Sequence, residues 1–494
     1  MKKTFLTVLA FSLAGSIANA QFWGFQPQPQ DPSDPYTITA GETSMTIDAG
    51  RGAKIMSYKY GETEILSQRT FPNQFGSTFW TSPQVEWNWP PVQEYDSRKY
   101  TVEKNGDKLV MTSQLSEKLP FRIIKEFVPD SKEGIITINY TIKNEGEAAR
   151  EVAPWEVTRV LNGGLIFFDA PVESISPAGL MPFTSEDGVC WLVPDENREN
   201  RKINADGKGW LAYADNGLLL VKKFTDLKGD LKPAPGESEI QVYINSGKTY
   251  IEIENQGAYT MLQPGETLTW TVVWKLMPLK TEAVPSRELA KQARPARKVS
   301  ILGDSYSTFK GVNPDGYAPF YPDAHNDVKE ESQTWWSLYN EAMGYTLEVN
   351  DSWGGTTICN TGYFHRNVAG SSFNSRLWKL GNPDIIFVFG GTNDAWANAP
   401  LGEYKYSDIS KEDCNTLRPA IAYMLDALAR IYPEATVYAI LNSELKEEVN
   451  ESFREICSHC GVQLIELHDI EKQNGHPSIN GMKAICDQLL EAIK

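Results

Sequence analysis

The chain has 494 residues, of which 41% are hydrophobic and 22% are charged, a balance typical of a folded protein and not of a disordered one. Because this length exceeds one ordinary hydrophobic core, we expect two domains. The formal net charge of −17 argues against nucleic acid or an anionic membrane as a partner and favours a neutral or weakly charged ligand such as a glycan.

The first twenty residues, MKKTFLTVLAFSLAGSIANA, have the pattern of a secretory signal peptide. Lys2 and Lys3 precede an apolar run that is shorter than the roughly 20 residues of a membrane-spanning helix. A small-x-small motif ends at Ala20, where we predict cleavage. We therefore expect residues 1–20 to be removed and the protein to be exported, periplasmic or secreted, without membrane insertion.

Residues 37–278 have the pattern of β-structure throughout. Short alternating runs such as IITINYTI and LTWTVVWKL are separated by clusters of Gly, Asn, Asp and Pro, and no sustained helical period lies between them. Alternation over so many strands predicts an all-β domain of two sheets packed face to face.

The pattern changes after a segment rich in proline and charge, residues 279–297, which we interpret as a linker. From residue 298 to residue 494, short apolar strands (KVSILGDS, TLEVNDSW, DIIFVFGGTND, ATVYAILN, VQLIEL) alternate with amphipathic stretches, among them FNSRLWKLG and LKEEVNESFREICSHCG. This order predicts a parallel sheet with helices on both faces and a ligand site at the carboxyl ends of the strands.

Four short motifs in the second half follow predicted strands or lie near the C-terminus. They are GDSYS with Ser305, NDSWGGTT with Gly354 and Gly355, GGTND with Asn393, and GHPS with His476. Each motif alone is ordinary loop chemistry, but their order and their placement at strand ends favour a shared site.

The chemistry that these residue types support is acyl transfer. A serine hydroxyl becomes a nucleophile when a base removes its proton, which predicts Ser305 as nucleophile and His476 as base. The tetrahedral oxyanion then needs fixed donors, for which we expect the backbone N–H of Ser305, a glycine N–H of the second motif and the side-chain amide of Asn393.

With these four motifs, residues 298–494 resemble an SGNH hydrolase of the GDSL type. The resemblance implies a three-layer α/β/α sandwich and an esterase, lipase or carbohydrate deacetylase that needs no metal or other cofactor. It assigns the oxyanion hole to Ser305, Asn393 and a glycine of the second motif, which we take as Gly355, with Gly354 as the alternative.

One position departs from that family pattern, because Gln473 stands where D-x-x-H has its aspartate, three residues before His476. Three interpretations remain open. The amide oxygen of Gln473 accepts from the imidazole, or Asp469 or Glu471 folds back to supply a carboxylate, or the protein is inactive and only binds. A neutral acceptor preserves the ring orientation but not the charge that stabilises imidazolium.

Several aromatic or imidazole side chains flank the motifs and are candidates for contact with a glycan: Trp353, Tyr363, His365 and Trp396. The first half resembles the galactose-mutarotase-like β-supersandwich in its strand pattern, its opening AGRGAKIMSYKYGETEIL and its closing PGETLTW. Mutarotases of that fold use histidine and glutamate, and no histidine precedes His325, so we expect no epimerase site. Trp80, Trp87 and Trp89 remain candidates for glycan binding.

Together these features predict an exported serine esterase that removes acyl groups, most simply acetyl, from a polysaccharide or oligosaccharide, with the acylated glycan as its partner. Two alternatives stay open. One is a lipase or thioesterase of the same family, and the other is a non-catalytic glycan-binding protein with a degenerate hydrolase domain.

Overall fold

A computed structural model describes residues 31–68, 75–186 and 188–493. The predicted signal peptide and its cleavage site lie outside the described residues. None of the described helices combines the length and the apolar character that crossing a membrane requires.

Twenty short strands and one brief helix, α1 (Gln93–Asp96), form the first half. The strands are β1 (Pro35–Ala40), β2 (Thr43–Asp48), β3 (Lys54–Tyr60), β4 (Thr63–Glu64), β5 (Ser77–Ser82), β6 (Thr101–Asn105), β7 (Lys108–Thr112), β8 (Phe121–Asp130), β9 (Ile135–Asn144), β10 (Arg150–Val160), β11 (Leu165–Asp169), β12 (Phe183–Glu186), β13 (Val189–Leu192), β14 (Arg201–Ala205), β15 (Trp210–Asp215), β16 (Leu218–Lys223), β17 (Ile240–Ile244), β18 (Ile251–Gln256), β19 (Thr260–Leu262) and β20 (Thr267–Pro278).

These strands make two ten-stranded sheets. Sheet I has the order β1-β2-β3-β5-β10-β18-β17-β14, with β4 on β3 and β19 on β10, and sheet II has the order β12-β13-β11-β15-β16-β20-β9-β8-β7-β6. Neighbouring strands run antiparallel. The predicted all-β sandwich is confirmed.

The core of the sandwich comes from the strict alternation along its strands. In β9, every second side chain points inward, and β20 alternates in the same way, so one face of each strand is apolar and buried. Tyr58 of sheet I meets Trp274 of sheet II edge to face, with ring centroids 5.5 Å apart. Burial of these aromatic side chains between the sheets supplies much of the stability of the domain.

One ion pair also lies between the sheets. The ammonium group of Lys222 lies 2.7 Å from Glu156, and both side chains are fully buried. The same carboxylate accepts from the Tyr140 hydroxyl and from the Trp274 indole N–H. A buried charge is tolerated here because each polar atom has partners, as buried charges require.

The predicted linker is a packed connection. Helix α2 (Arg287–Ala293) begins at Ser286, whose side chain accepts from the N–H of Leu289. Its apolar residues pack on the outer face of sheet II, against Phe167 and Trp210 among others. Arg294 then pairs with Asp169 at 2.6 Å, which fixes the chain just before the second domain begins.

The second half contains a five-stranded parallel sheet in the order β22-β21-β23-β24-β25. A separate two-stranded hairpin lies near its C-terminus. The elements are β21 (Lys298–Gly303), α3 (Trp335–Met343), β22 (Thr346–Ser352), β23 (Ile385–Phe389), α4 (Thr392–Trp396), α5 (Leu417–Ile431), β24 (Thr436–Leu441), α6 (Glu447–Cys460), β25 (Gln463–Glu466), β26 (Lys472–Gln473), β27 (His476–Pro477) and α7 (Ile479–Ala492).

Helices cover both faces of this sheet. Alternate residues of β23 point to opposite sides: Ile386 and Val388 join a core with α5 and α6, whereas Phe387 and Phe389 join a core with α3 and α7. The predicted three-layer α/β/α arrangement is confirmed. The prediction of a helix at FNSRLWKLG is wrong, because this stretch forms two short 3₁₀ turns (Phe373–Ser375 and Leu377–Lys379).

Candidate active site

The nucleophile candidate lies just after the carboxyl end of β21, the strand beside the central strand β23 of the sheet. Strand β21 ends at Gly303, and a 3₁₀ turn begins directly at Ser305. Asp304 caps this turn by accepting from the N–H of Tyr306 at 3.0 Å. The turn presents the Ser305 hydroxyl at the sheet edge while its side chain stays almost fully buried.

The structure brings the two predicted catalytic side chains together. Nε2 of His476 lies 2.9 Å from Oγ of Ser305. On the other side of the ring, Nδ1 lies 3.0 Å from the backbone carbonyl oxygen of Asn474. Because a carbonyl can only accept, Nδ1 carries the proton and Nε2 is free to accept the proton of the serine hydroxyl. This tautomer is the one that a general base needs.

The prediction that Gln473 or Asp469 orients His476 is wrong. The amide of Gln473 faces Asp327: its oxygen accepts from the Asp327 N–H at 2.9 Å, and its nitrogen donates to the Asp327 carboxylate at 3.0 Å. The Asp469 side chain is 96% exposed and lies beside His468. Glu471, the other alternative, accepts from Ser478 and Asn480.

The local chain geometry explains why a backbone group takes this role. Strands β26 and β27 form a hairpin in which Gln473 pairs directly with His476, and Asn474 and Gly475 form its two-residue loop, both with positive φ (50° and 72°). These are the backbone angles of a type I′ turn, for which Asn-Gly is the strongest sequence signal. The turn directs the Asn474 carbonyl toward the ring and leaves the Gln473 side chain to another partner.

Side chains from the segment after Ser305 hold this hairpin, and we did not predict them. Tyr306 donates to the carbonyl of Gly475 at 2.7 Å, and Tyr321 donates to that of Pro477 at 2.8 Å. The amide of Asn326 lies within 3.1–3.3 Å of the carbonyls of Gln473, His476 and Pro477. No sequence signal marked these residues, because their partners are backbone atoms about 150 residues away.

A further residue that we did not predict, Phe320, packs against the base. Its ring stacks on the imidazole of His476 with centroids 3.5 Å apart and planes 9° from parallel. Burial lowers the pKa of His476 below its ordinary value, while the hydrogen bond to Asn474 and the charge of Asp323 act in the opposite direction. The base is therefore neutral over a wider pH range than an exposed histidine would be.

Asn393 is the predicted side-chain donor to the oxyanion. It lies in the first turn of α4, almost fully buried, and its amide nitrogen donates to Asp304 at 3.3 Å. The hydroxyl of Tyr363 donates to its amide oxygen at 2.8 Å. That bond identifies the oxygen end of the amide, so the nitrogen keeps a second hydrogen besides the one that it donates to Asp304.

Tyr363 belongs to a strained segment. The two residues that follow it, Phe364 and His365, both have left-handed backbone angles (φ 58° and 53°). Each such residue costs roughly 1–2 kcal/mol when it is not glycine. The strain is compatible with a functional constraint, and the constraint that the geometry offers is the placement of the Tyr363 hydroxyl on Asn393.

The backbone hydrogen bonds of Gly354 and Gly355 distinguish these two candidates for the third oxyanion donor. The N–H of Gly354 donates to the carbonyl of Ala318 at 2.8 Å, so it is occupied. A methyl group on Gly354 would lie 3.8 Å from Cβ of Ser305, which places this turn beside the nucleophile. The N–H of the exposed Gly355 has no hydrogen bond to any residue that the structure describes, which favours Gly355 over Gly354 as a donor. Ser305 begins its 3₁₀ turn, so its own N–H has no acceptor within that turn.

Two carboxyl groups lie behind these donors. Burial raises the pKa of Asp304 to about 7, assisted by the nearby charge of Asp394. Burial likewise raises the pKa of Asp394 to about 6, and this carboxylate accepts from the N–H groups of Ile358 and Cys359. The two aspartates tie the Ser305 turn and helix α4 to the rest of the site.

The remaining predicted contacts differ in how near they lie to the catalytic pair. Trp396 is 46% exposed, and its ring centroid lies 6.3 Å from that of His476. Trp353 is partly exposed and stacks on Tyr317, with centroids 4.4 Å apart. His365 is exposed and makes no hydrogen bond or ring contact with Ser305 or His476. In the sandwich, Trp80 and Trp87 are buried, and only Trp89, at 53% exposure, could contact a glycan among these three.

Within the described residues, no group of three or more His, Cys, Asp or Glu side chains could hold a metal ion. All six cysteines are free thiols.

A serine hydroxyl in contact with a histidine ring, at the carboxyl edge of a parallel sheet between helices, is the arrangement that serine hydrolases use. The family model for the GDSL-like lipase/acylhydrolases matches residues 297–493. A solved structure from Bacteroides ovatus, described as a GDSL-like lipase, is 51% identical and covers 40% of this chain and 97% of its own, with a TM-score of 0.39. Residues 297–493 therefore belong to the GDSL-like lipase/acylhydrolase family, which the sequence motifs indicated.

Further comparisons concern both halves. A GDSL-like lipase structure from Bacteroides uniformis is 48% identical and covers 40% of this chain and 95% of its own, with a TM-score of 0.40. A galactose mutarotase-like protein from Lactobacillus casei is 15% identical and covers 49% of this chain and all of its own, with a TM-score of 0.38. No protein of curated function matches the chain.

Proposed function

We propose that the protein is an exported carbohydrate esterase that removes acetyl groups from a polysaccharide or its oligosaccharides. The observation that carries the catalytic part is the 2.9 Å contact between Nε2 of His476 and Oγ of Ser305, with the Nδ1 proton held by a carbonyl. In this mechanism His476 takes the hydroxyl proton while Ser305 attacks the ester carbonyl.

The oxyanion that forms is stabilised by three donors: the N–H groups of Ser305 and Gly355 and the amide of Asn393. His476 then gives its proton to the leaving sugar hydroxyl, and an acetyl group remains on Ser305. Water, activated by the same histidine, releases acetate and restores the enzyme. No carboxylate of a residue that the structure describes contacts the ring, so the imidazolium is stabilised by the Asn474 carbonyl and by the more distant charge of Asp323.

The sugar part of the proposal rests on the surroundings of the pair. The partly exposed rings of Trp396 and Trp353 flank the site and suit the apolar face of a sugar ring. The net charge of −17 favours a substrate that is not itself strongly anionic, and the signal-like first twenty residues support export to where polysaccharides are found.

The test is hydrolysis of p-nitrophenyl acetate by the mature chain and by Ser305→Ala. We expect Ser305→Ala to lower kcat by about 10⁴-fold or more, because the covalent step is lost. Ser307→Ala is the matched control, since this serine lies in the same turn but points away to Trp335. Equal rates for wild type and Ser305→Ala would refute the catalytic assignment.

The substrate class is tested separately by acetate release from acetylated xylan, acetylated pectin and sialylated glycans. Faster hydrolysis of long-chain than of acetyl p-nitrophenyl esters would favour a lipase or thioesterase. Binding to these glycans with no ester hydrolysis would favour a glycan-binding protein with a degenerate hydrolase domain.

A further inference from the structure

A cavity of about 480 Å³ that includes none of the catalytic residues lies between the outer face of sheet II and helix α2. Four lysines line it: Lys223, Lys275, Lys280 and Lys291, which we call the lysine cavity. Glu288 is the single acidic residue in its wall. This local excess of positive charge is unexpected in a chain with 64 acidic and 47 basic residues.

The strand register brings two of these lysines close together. Strands β16 and β20 pair so that Val221 lies opposite Lys275 and Lys223 lies opposite Val273. Lys223 and Lys275 are therefore diagonal neighbours on the same face of sheet II. Like charges at neighbouring sheet positions destabilise the pairing unless something compensates them.

No such compensation is present among the described residues. The ammonium groups of Lys223, Lys275 and Lys280 make no ion pair or hydrogen bond with any residue of the described ranges. Burial lowers the pKa of Lys223, and the charge of Lys275 lowers it further. Both lysines are only partly exposed, so water screens their repulsion incompletely.

The neighbouring residue on the same strand provides a contrast. Lys222 points inward and is paired with Glu156 at 2.7 Å, whereas Lys223 points outward into the cavity and has no counter-charge. The protein thus neutralises the inward lysine of β16 with a carboxylate of its own. The outward lysine, Lys223, has no counter-charge among the described residues, so an anionic ligand would supply one.

The cavity also has an apolar floor and a connection to the catalytic domain. Val221, Met277 and Ala293 line it between the lysines. The ammonium group of Lys291 donates to the carbonyl of Glu341 near the end of α3, so one cavity wall is fixed to the second domain. At about 480 Å³, the cavity lies within the usual range of roughly 300–1,000 Å³ for small-molecule sites and exceeds what one inorganic anion would fill.

We propose that the lysine cavity binds a segment of an anionic oligosaccharide, whose carboxylate or sulfate groups face the lysines and whose apolar sugar faces lie on Val221 and Met277. That the ligand is a sugar rests on the proposed function, while the need for anionic groups rests on the cavity alone. The site would hold the chain of a partly charged polysaccharide at a distance from Ser305, whose substrate unit itself is neutral.

The experiment measures binding of three eight-unit oligosaccharides by isothermal titration calorimetry to the mature chain carrying Ser305→Ala. The probes are an oligogalacturonate for carboxylate, a chondroitin sulfate oligosaccharide for sulfate, and xylo-octaose as the neutral control. We expect at least one anionic probe to bind about tenfold or more tightly than xylo-octaose at 50 mM NaCl, and this preference to shrink as salt rises. Comparison of the two anionic probes shows whether the cavity binds carboxylate or sulfate groups.

Variants locate the site. The pair Lys223→Met and Lys275→Met should weaken binding of the anionic probe by about tenfold or more, since two charge contacts are lost. The pair Lys59→Met and Lys104→Met changes the net charge equally, lies outside the cavity and should change binding less than about twofold. Replacing Lys223 and Lys275 by arginine should retain binding.

Equal binding of anionic and neutral probes, or unchanged binding by the Lys223→Met and Lys275→Met pair, overturns the inference. These outcomes leave the proposed esterase intact, because Ser305 does not enter the binding measurement. Conversely, a chain that binds the anionic probe but hydrolyses no ester would support the cavity and refute the catalytic proposal. If the methionine pair were unstable, the arginine pair and the salt dependence of wild-type binding would still decide.

Discussion

The two halves of the site are held in place by different means. On the base side, His476 sits in a two-residue hairpin whose carbonyls are held by Tyr306, Tyr321 and Asn326, and Phe320 covers its ring. On the oxyanion side, two side chains hold the amide of Asn393: the Tyr363 hydroxyl donates to its oxygen, and the Asp304 carboxylate accepts from its nitrogen. The base depends on many redundant contacts, and the oxyanion donor depends on few.

This difference predicts which mutations in the site should lower kcat most. Removing one of several contacts around a rigid hairpin leaves the others in place, so single changes there should have small effects. Removing the donor, or a group that orients it, acts directly on the charge that develops in the transition state. Mutations of comparable size on the two sides should therefore differ in kcat.

The largest effect is expected for Asn393→Ala. Loss of one oxyanion donor should lower kcat by about 10²- to 10³-fold with little change in KM, because the donor acts on the transition state more than on the bound ester. Steady-state kinetics with p-nitrophenyl acetate measure both values. Asn382→Ala, on an exposed turn, serves as control. A loss confined to KM would show that Asn393 only binds substrate.

An intermediate effect is expected for Tyr363→Phe. Without this hydroxyl the amide of Asn393 keeps only its longer hydrogen bond to Asp304 and is less firmly oriented, so kcat should fall by about tenfold while KM stays near that of wild type. The change of His365→Ala, two residues along the same strained segment, should alter kcat by less than about twofold. Should His365→Ala lower kcat as much as Tyr363→Phe, the segment as a whole and not the hydroxyl would matter.

A smaller effect is expected for Gln473→Ala. The reciprocal bonds between Gln473 and Asp327 hold the hairpin from outside the ring, so their loss should lower kcat by about two- to fivefold. Asp469→Ala should leave kcat unchanged, because this side chain is exposed. A fall of about 10³-fold or more in Gln473→Ala would contradict the orientation by the Asn474 carbonyl.

The smallest effect is expected in the pH profile. Because burial lowers the pKa of His476, the acid limb of kcat/KM should lie below the ordinary histidine value of about 6.5. The charge of Asp323 raises this pKa, so Asp323→Asn should move the limb to still lower pH. Asp304 ionises in both the wild type and Asp323→Asn, so its effect cancels when the acid limbs of the two proteins are compared. A limb that moved to higher pH in Asp323→Asn would reverse the assigned sign.

Much of the fold follows from the sequence because it depends on local patterns. Alternation along strands such as β9 and β20 and the later strand-helix order fix the two architectures. The pairing of Ser305 with His476 also followed, since both come from motifs at the carboxyl edge of one sheet. The exception of FNSRLWKLG, which forms 3₁₀ turns, shows that a short amphipathic run is a weak signal.

The orientation of His476 was missed for a physical reason. A search for the ring's partner among side chains omits the backbone, yet each residue carries a carbonyl acceptor. The signal was present in the dipeptide Asn474-Gly475, which predicts a type I′ hairpin and thereby the direction of the carbonyl. The residues Phe320, Tyr321 and Asn326 had no such signal, because tertiary packing alone brings them to the hairpin.

The Asn474 carbonyl has a consequence for how the gene can vary. A side-chain carboxylate can be lost through a single codon change, but a main-chain carbonyl is encoded by every amino acid. Drift at codon 474 should be tolerated wherever the new residue accepts a positive φ, as glycine does, whereas codon 475 is restricted because its φ of 72° disfavours any residue with a Cβ. The element on which selection acts is therefore the shape of the turn.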